Sequence, residues 1–406
     1  MRMYSSLDSV PFASRRPPDA GERSVSQLFR HGRRRALKVI FWCCLVVVAY
    51  AYFGYAFFLA LYVRVRHRPI RRGSILPSVS VVIAARNEEA HLPAKLANLE
   101  LSDYPPDLLQ IVIASDGSTD RTEAILREHG PRIVPVILEQ AHGKASALNA
   151  AVKQATGDLL VFLDARQSVD ANAISELTAC FADPEVGAVS GELLIESAPG
   201  VSSSNGLGFY WKLEKVVRKL EAASGSVVGV TGAIYAMRRG LYVEIPPATI
   251  LDDVFVPMQV VRQGKRVVFQ PSAIARDRLF VQKGKEFSRK VRTLTGNYQL
   301  LRLAPWLLSS RNPILFRFIS HKLLRLLVPF LLVLMLVTSY LAAAPVYRAV
   351  FWLQACFYLL AALGSVIPSF TRYKPVGIAS TFVMLNAAAA LAFYNFVSGR
   401  KQVWVR

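Results

Sequence analysis

Cysteine is scarce in this chain of 406 residues, and none of the four sits at a useful spacing. Cys43, Cys44 and Cys356 lie inside apolar runs and Cys180 stands alone, which excludes a disulfide framework and a cysteine metal site and suits a reducing compartment. No internal repeat is visible. Charge is missing from residues 39–63, 326–347, 349–371 and 375–399, which are runs of 25, 22, 23 and 25 residues. At a rise of about 1.5 Å per residue, each is long enough to cross a hydrocarbon core of about 30 Å. An integral membrane protein is expected, with an anchor over residues 38–63 and three transmembrane helices within 323–399. The first run begins too late and is too long for a cleaved signal peptide, so it is read as a retained anchor. Asn386 and Asn395 in the last run predict packing against other helices, where side-chain amides find partners.

Acidic residues are nearly absent from the far end of the chain. Residues 283–406 carry one Asp or Glu against 16 Lys and Arg, and residues 1–77 carry 3 against 14. Residues 78–282 instead hold 24 acidic groups against 19 basic ones. The formal charge of +21 therefore flanks the apolar runs, where anionic headgroups attract it, and the segment between is mildly acidic. Nucleic acid is excluded as the expected partner, and a lipid bilayer takes its place.

Residues 1–37, rich in Ser, Pro and Arg without hydrophobic period, are read as a flexible basic tail. From Ser78 onward, short apolar runs alternate with amphipathic stretches. Strands are predicted at 79–85, 109–114, 132–138, 159–164, 187–195 and 266–270. Helices are predicted between them at 89–99, 120–128, 144–154, 171–181 and 253–262. This alternation implies an α/β domain over 78–282, a mostly parallel sheet covered by helices. Residues 206–223 form an amphipathic helix facing either an acceptor groove or the core. The basic, aromatic and Leu-rich residues 283–322, interrupted by Pro305 and Pro313, read as interfacial helices along the membrane.

Chemistry gathers where apolar runs end. The run VSVVIAA closes at Ala85 and is followed by Arg86, Asn87, Glu88 and Glu89. In ASDGSTD, Asp116 follows a strand, Gly117 permits a tight turn, and Ser118 to Asp120 can cap a helix. A carboxylate there can accept hydrogen bonds from a base or ribose, although a capped strand-to-helix turn would look the same. VFLDARQ places Asp164 at the edge of a cleft, where a carboxylate can hold a divalent cation against a diphosphate. The pair Asp252 and Asp253 offers a carboxylate that can take the proton of an attacking hydroxyl, and only one of the two need do so. Each island alone is a weak signal. Their order points to an enzyme handling a nucleotide-diphosphate sugar.

Between residues 78 and 301 these islands, with GKASALN at 143–149, resemble the membrane-bound processive branch of glycosyltransferase family 2. That branch includes cellulose, chitin, hyaluronan and poly-N-acetylglucosamine synthases. The resemblance implies an A-type glycosyltransferase fold, an inverting single displacement and a Mg²⁺ or Mn²⁺ ion. It assigns Ala85, Arg86, Asn87 and Glu88 to the nucleotide-binding loop, Asp116 to the base, Lys144 to the nucleotide and Asp164 to the metal. It also makes Asp253 the catalytic base and puts Arg292 where the branch has the Arg of Gln-x-x-Arg-Trp. Two departures stand out. The second aspartate of the metal motif is Arg166, and the Gln-x-x-Arg-Trp position reads Arg289-Lys290-Val291-Arg292-Thr293. Arg166, Asp252 and Arg289 are then candidate phosphate or acceptor contacts. The expected protein is a multi-pass enzyme of the inner plasma membrane with a cytosolic catalytic domain, a UDP-linked donor, and a growing polysaccharide or a membrane lipid as acceptor. Whether an accessory membrane or export subunit assists it is left open.

Overall fold

A computed structural model describes residues 20–130, 133–197, 205–279, 283–342 and 344–399. The chain opens with α1 (Ala20–Ala49), a π-helical turn (Tyr50–Gly54) and α2 (Tyr55–Val65), which form one rod. Helix thus begins inside the stretch read as a tail, whose first 19 residues lie outside those described. An uninterrupted run of helix formers and apolar residues from Ala36 leaves no stop signal before Arg66, so the anchor propagates backwards into the basic segment.

Eight strands follow: β1 (Val79–Ala85), β2 (Leu109–Asp116), β3 (Ile133–Leu138), β4 (Leu159–Asp164), β5 (Ser168–Val169), β6 (Val186–Ser197), β7 (Ile234–Arg238) and β8 (Arg266–Leu279). Between them run α3 (Leu92–Glu100), α4 (Thr122–Glu128), α5 (Lys144–Gln154), α6 (Ala173–Thr178), α7 (Asn205–Ser224) and α8 (Asp252–Arg262). The expected start of the third strand at Arg132 lies outside the described residues. The strands form one sheet in the order β3-β2-β1-β4-β7-β6-β8-β5. Pairs β3/β2, β2/β1, β1/β4 and β6/β8 are parallel; β7 runs antiparallel to both β4 and β6, and β5 antiparallel to β8. This is the mostly parallel, helix-covered sheet that the alternation of the sequence implies. Strand β7 was not foreseen, because Ile-Tyr-Ala-Met-Arg is short and follows a glycine-rich loop without alternation.

The parallel strands are buried on both faces, which is why they read as continuous apolar runs; Val81, Val82, Ile83, Val112, Ile113, Leu160 and Val161 are fully enclosed. Register pairs Ala85 with Ser115 and Ala84 with Asp164. The carboxyl ends of β1, β2 and β4 therefore finish level, and their polar residues emerge along one edge. The strand order reverses between β1 and β4, the crevice where open α/β sheets bind ligands.

After the sheet come α9 (Lys283–Leu303), a 3₁₀ turn (Pro305–Leu308), α10 (Leu315–Phe318), a π-helical turn (Ile319–Leu323), α11 (Leu324–Ala342), α12 (Pro345–Val366) and α13 (Lys374–Val397). Four helical segments are long and apolar enough to cross a membrane: His31–Val65, Leu315–Ala342, Pro345–Val366 and Lys374–Val397. The chain has the build of a multi-pass membrane protein. The last of the four apolar stretches starts within a residue of where expected and the third four residues early at Pro345, whereas the second begins at Leu315, inside the segment read as interfacial, because helix runs unbroken through the π turn. Leu300, Ala304, Leu307 and Phe318 of that segment join the core of the α/β domain, so it is packed onto the domain along much of its length. Asn386 donates to Tyr52 Oη at 3.1 Å, tying the last span to the first.

Close packing of backbone on backbone limits substitution at Gly157, where an added Cβ would stand 2.5 Å from Ser80 N and 2.6 Å from Val79 C. Gly157→Ala must push the turn away from β1 at the centre of the sheet and should cost about 1–3 kcal/mol. A thermal unfolding midpoint unchanged from the parent would show that the turn has room the structure does not display.

Candidate active site

Asp116, the last residue of β2, does not point freely into the crevice. It is 2 % exposed, and its two oxygens accept the backbone N–H groups of His142 at 2.7 Å and Gly143 at 2.9 Å. Gly117 adopts φ +58°, and a Cβ there would collide with Ala141 N at 2.5 Å, so the two loops touch backbone to backbone. Gly143, at φ +92°, ends this approach and starts α5 with Lys144. Asp116 therefore anchors the turn that delivers Lys144.

The loop after β1 is held in the same way. Asn87, in the left-handed region at φ +55°, accepts the Thr119 N–H at 2.8 Å through Oδ1 and donates its own N–H to Ser118. Glu88 N donates to Thr122 Oγ1 at 2.8 Å, and Arg121 N donates to Glu89 at 2.9 Å. Ala85 is buried beneath this loop. Arg86 has no hydrogen bond or ion pair among the described residues.

Lys144 is the centre of the site. Its ammonium lies 3.0 Å from Asp164 Oδ1 and 3.4 Å from Asp252 Oδ2, joining the end of β4 to the start of α8. Burial alone would lower its pKa, but Asp164, Asp252 and Asp253 together outweigh that and raise it, so it stays charged. Asp253 is pushed up to about 6, first by burial and then by its neighbour Asp252; Lys144, Lys322 and Arg218 pull the other way. The carboxylate is thus poised within reach of physiological proton transfer.

A proline fixes Asp253. In α8 the fourth residue after Asp253 is Pro257, which has no N–H to give the Asp253 carbonyl, and Val230 N takes that place at 2.8 Å. The loop before β7 is thereby stitched to Asp253. On the other side, Gln299 of α9 accepts Ile250 N and donates to Ala248 O, both at 2.9 Å. Gly296 allows α9 to lie directly on Leu251 and Ile250.

Among the twelve residues read from the sequence, Lys144, Asp164, Asp252 and Asp253 come together. Asp116, Asn87 and Glu88 shape the loops around them. Arg166 pairs with Asp277 on β8, its guanidinium 2.5 Å from the carboxylate, and Gln167 donates to the same carboxylate. Arg289 and Arg292 lie on α9, and neither side chain forms an ion pair with the carboxylate cluster among the described residues. Four contributors were missed: Lys95, Arg218, Lys322 and Asp277. Lys95 is 2 % exposed and donates to Gln167 O at 2.8 Å, holding the loop after Asp164; burial lowers its pKa to about 8 against the opposing pull of Asp164. The signal was present, since Lys95 shares the buried face of α3 with Leu92, Leu96 and Leu99.

A divalent ion was expected at Asp164. Among the described residues no three His, Cys, Asp or Glu side chains converge as a metal site. Asp164 nevertheless fits an ion held by one protein carboxylate and completed by the phosphates of a donor, the pattern usual for Mg²⁺.

The profile of glycosyl transferase family 2 matches residues 80–245, which span the sheet from β1 past β7. An N-acetylglucosaminyltransferase of Rhizobium meliloti (strain 1021) is 28% identical over 217 residues, 49% of this chain and 50% of that protein. The poly-beta-1,6-N-acetyl-D-glucosamine synthase of Staphylococcus aureus (strain COL) is 26% identical over 233 residues, 56% of each. This chain thus spans about half the length of the curated relatives it matches. In three dimensions it resembles the mannosyltransferase PcManGT from Pyrobaculum calidifontis, solved with GDP-Man and Mn²⁺, with a TM-score of 0.71 over 90% of this chain and 99% of that one. At 22% identity that likeness speaks to the fold.

Gly232 stands against Asp253, and a Cβ there would lie 3.2 Å from its Oδ2. Gly232→Ala should displace the carboxylate by a few tenths of an ångström and lower kcat about tenfold, with little change in thermal stability. An unaltered kcat would mean that Asp253 tolerates such displacement.

Proposed function

We propose, from the match of residues 80–245 to the glycosyl transferase family 2 profile, that this chain moves a sugar with inversion from a nucleotide-diphosphate donor, UDP-linked, to a growing polysaccharide at the membrane. The observation that carries this reading is the convergence of Lys144, Asp164, Asp252 and Asp253 at the strand ends. The names of the curated relatives favour N-acetylglucosamine as the sugar.

In this reading Asp253 accepts the proton of the acceptor hydroxyl as its oxygen bonds to the anomeric carbon. The bond from that carbon to the diphosphate breaks on the opposite face, and the nucleoside diphosphate leaves. Lys144 faces the negative charge that develops on the leaving group, and the carboxylates around it keep it protonated. Mg²⁺ or Mn²⁺ bound by Asp164 and the donor would add charge neutralisation at the diphosphate. Asp116, Asn87 and Glu88 hold the loops on which the nucleotide would rest, and Arg86 and Arg292 are the cations left to meet its phosphates. Because sugar nucleotides are cytosolic, the catalytic domain is placed on the cytosolic side of the inner membrane, with the part of 283–322 that precedes the span from Leu315 at the interface. The outward-facing Leu308 supports that placement.

A second reading is transfer of one sugar to a membrane lipid. It is favoured by Thr293, which stands where an aromatic side chain would stack on an acceptor sugar. Product mass after incubation with UDP-N-acetylglucosamine separates a polymer from a singly glycosylated lipid.

Asp253→Asn should reduce turnover roughly 100-fold or more while leaving nucleotide affinity nearly intact. In the parent, kcat/KM should rise with pH through about 6, because the base works only when ionised and its pKa is raised to that region. Turnover by the Asn variant within a few-fold of the parent removes Asp253 from the role. Arg166→Asp, which restores the second acidic position and removes the partner of Asp277, should lower the Mn²⁺ concentration giving half-maximal activity about tenfold. An unchanged metal requirement would mean that position 166 does not face the ion.

A further inference from the structure

Residues 229–232, the loop before β7, touch Asp253 at two points. Val230 N donates to the Asp253 carbonyl at 2.8 Å, and Gly232 stands so near that an added Cβ would lie 3.2 Å from Asp253 Oδ2. Thr231 sits between these contacts. Its backbone N–H donates to Ser190 Oγ on β6 at 2.9 Å, which ties the loop to the sheet. A second tie comes from α7, where Arg218 Nη1 donates to Thr231 Oγ1 at 2.6 Å. The loop needs such anchors. Gly229, at φ +88°, and Gly232 bracket it, and glycine leaves a backbone freest, so its position beside Asp253 depends on side chains that lie outside it.

Arg218 has another partner. Its Nε lies 3.7 Å from Glu214 Oε1, one turn earlier on α7, and that buried carboxylate is shared with the second candidate span. His321 Nε2, in the π-helical turn Ile319–Leu323, meets Glu214 Oε1 at 2.9 Å, and Arg325 Nη1 donates to Oε2 at 2.8 Å. His321 Nδ1 in turn meets Glu221 Oε1 at 3.0 Å, an oxygen that also accepts from Tyr55 of α2 at 2.6 Å. An imidazolium, donating from both ring nitrogens, satisfies both carboxylates. Direct contacts therefore run from His321 and Arg325 to Glu214, to Arg218, to Thr231 and so to the loop against Asp253. Arginine suits the junction, because its fork of N–H groups can serve two oxygens at once and never loses its charge.

We propose that Arg218 is a positioning residue: by holding Thr231 to α7 it keeps the glycine-bracketed loop at a set distance from Asp253, and its pairing with Glu214 refers that distance to the second span. The proposal rests on the reading of Asp253 as the base. Displacing the loop would shift the carboxylate relative to an acceptor hydroxyl, and transfer tolerates little misplacement. The nucleotide side of the crevice, built on β1, β2 and Lys144, would stay as it is.

The test uses the full chain in lipid nanodiscs, with UDP release from UDP-N-acetylglucosamine, UDP affinity and hydrogen exchange as readouts. Arg218→Met should lower kcat about tenfold with UDP affinity within about twofold, and Arg218→Lys, which keeps a cationic donor, should lose only about threefold. Thr231→Val should match Arg218→Met, whereas Thr231→Ser, which keeps the accepting oxygen, should retain most of the rate. The double variant Arg218→Met/Thr231→Val should be no worse than either single one, because both remove the same bond. Losses that multiply, equal losses for Ser and Val at position 231, or UDP affinity that falls in step with kcat would overturn the proposal. Exchange needs no turnover: Arg218→Met should speed exchange of amides at 229–234 and 252–256, and an increase confined to 205–224 would overturn it as well. Should the parent release no UDP from this donor, the donor reading fails and exchange alone decides the role of Arg218. An active Asp253→Asn enzyme, measured alongside, would remove the base and leave the result on the loop standing. If Thr231→Val does not fold, the Arg218 variants decide.

Discussion

One ammonium group keeps this site from flying apart. Asp164, Asp252 and Asp253 arrive from two elements distant in sequence, and three carboxylates brought together in a part-buried crevice would repel one another. Lys144 lies between two of them, at 3.0 and 3.4 Å, and their combined field holds its proton in place. Much of the surrounding architecture serves to deliver this one residue. Asp116 anchors the loop before it, Gly117 and Gly143 permit the close approach, and Lys95 holds the loop beyond Asp164. In the proposed reaction the two roles of such a cation, balancing the carboxylates and meeting a leaving diphosphate, are compatible, since the donor's phosphates would replace the carboxylates as its partners.

Asp253 is controlled by backbone chemistry as much as by charge. A helix normally consumes its own carbonyls, but Pro257 releases that of Asp253 to the loop before β7. Glycine at 232 then lets this loop lie against the carboxylate. Gln299 performs the corresponding task from α9, pinning residues 248 and 250 ahead of the acidic pair. Asp253 is therefore gripped from two directions by elements on opposite sides of it in the chain. That arrangement can hold a buried carboxylate beside a second one without letting it swing into solvent.

The sequence made the sheet legible because its parallel strands are buried on both faces and so appear as unbroken apolar runs. Strands β1 and β4 and helix α5 lie where the pattern puts them, and Lys144, Asp164, Asp252 and Asp253 meet as their positions at strand and helix ends imply. What escaped notice was set by tertiary contacts. β7 has too few residues to show a period, and the partner of Arg166 is Asp277, more than a hundred positions away on another strand. Residues 283–322 looked amphipathic enough to float on a membrane, and nothing in their composition tells that Phe318 and Leu307 enter the α/β core. The amphipathic helix at 205–224 was ambiguous for the opposite reason. Its buried side carries Glu214 and Glu221, and carboxylates on a buried face cannot be told from solvated ones until their partners are seen.

Those two carboxylates tie the membrane part to the catalytic part. Desolvating Glu214 and Glu221 would raise their pKa values, yet His321, assisted by Arg325 for Glu214 and by Tyr55 for Glu221, reverses the sign and holds both below the ordinary range. Buried ion pairs contribute little stability compared with apolar packing of the same volume, but losing one partner leaves an uncompensated charge at high cost. Such a cluster therefore enforces one relative position of α7, the first rod and the second span, because no other position satisfies all its members. An apolar interface would allow sliding between neighbouring packings. In the proposed reaction the tighter constraint has a use: the distance from the membrane spans to Asp253 would be fixed by hydrogen bonds rather than by the shape of side chains.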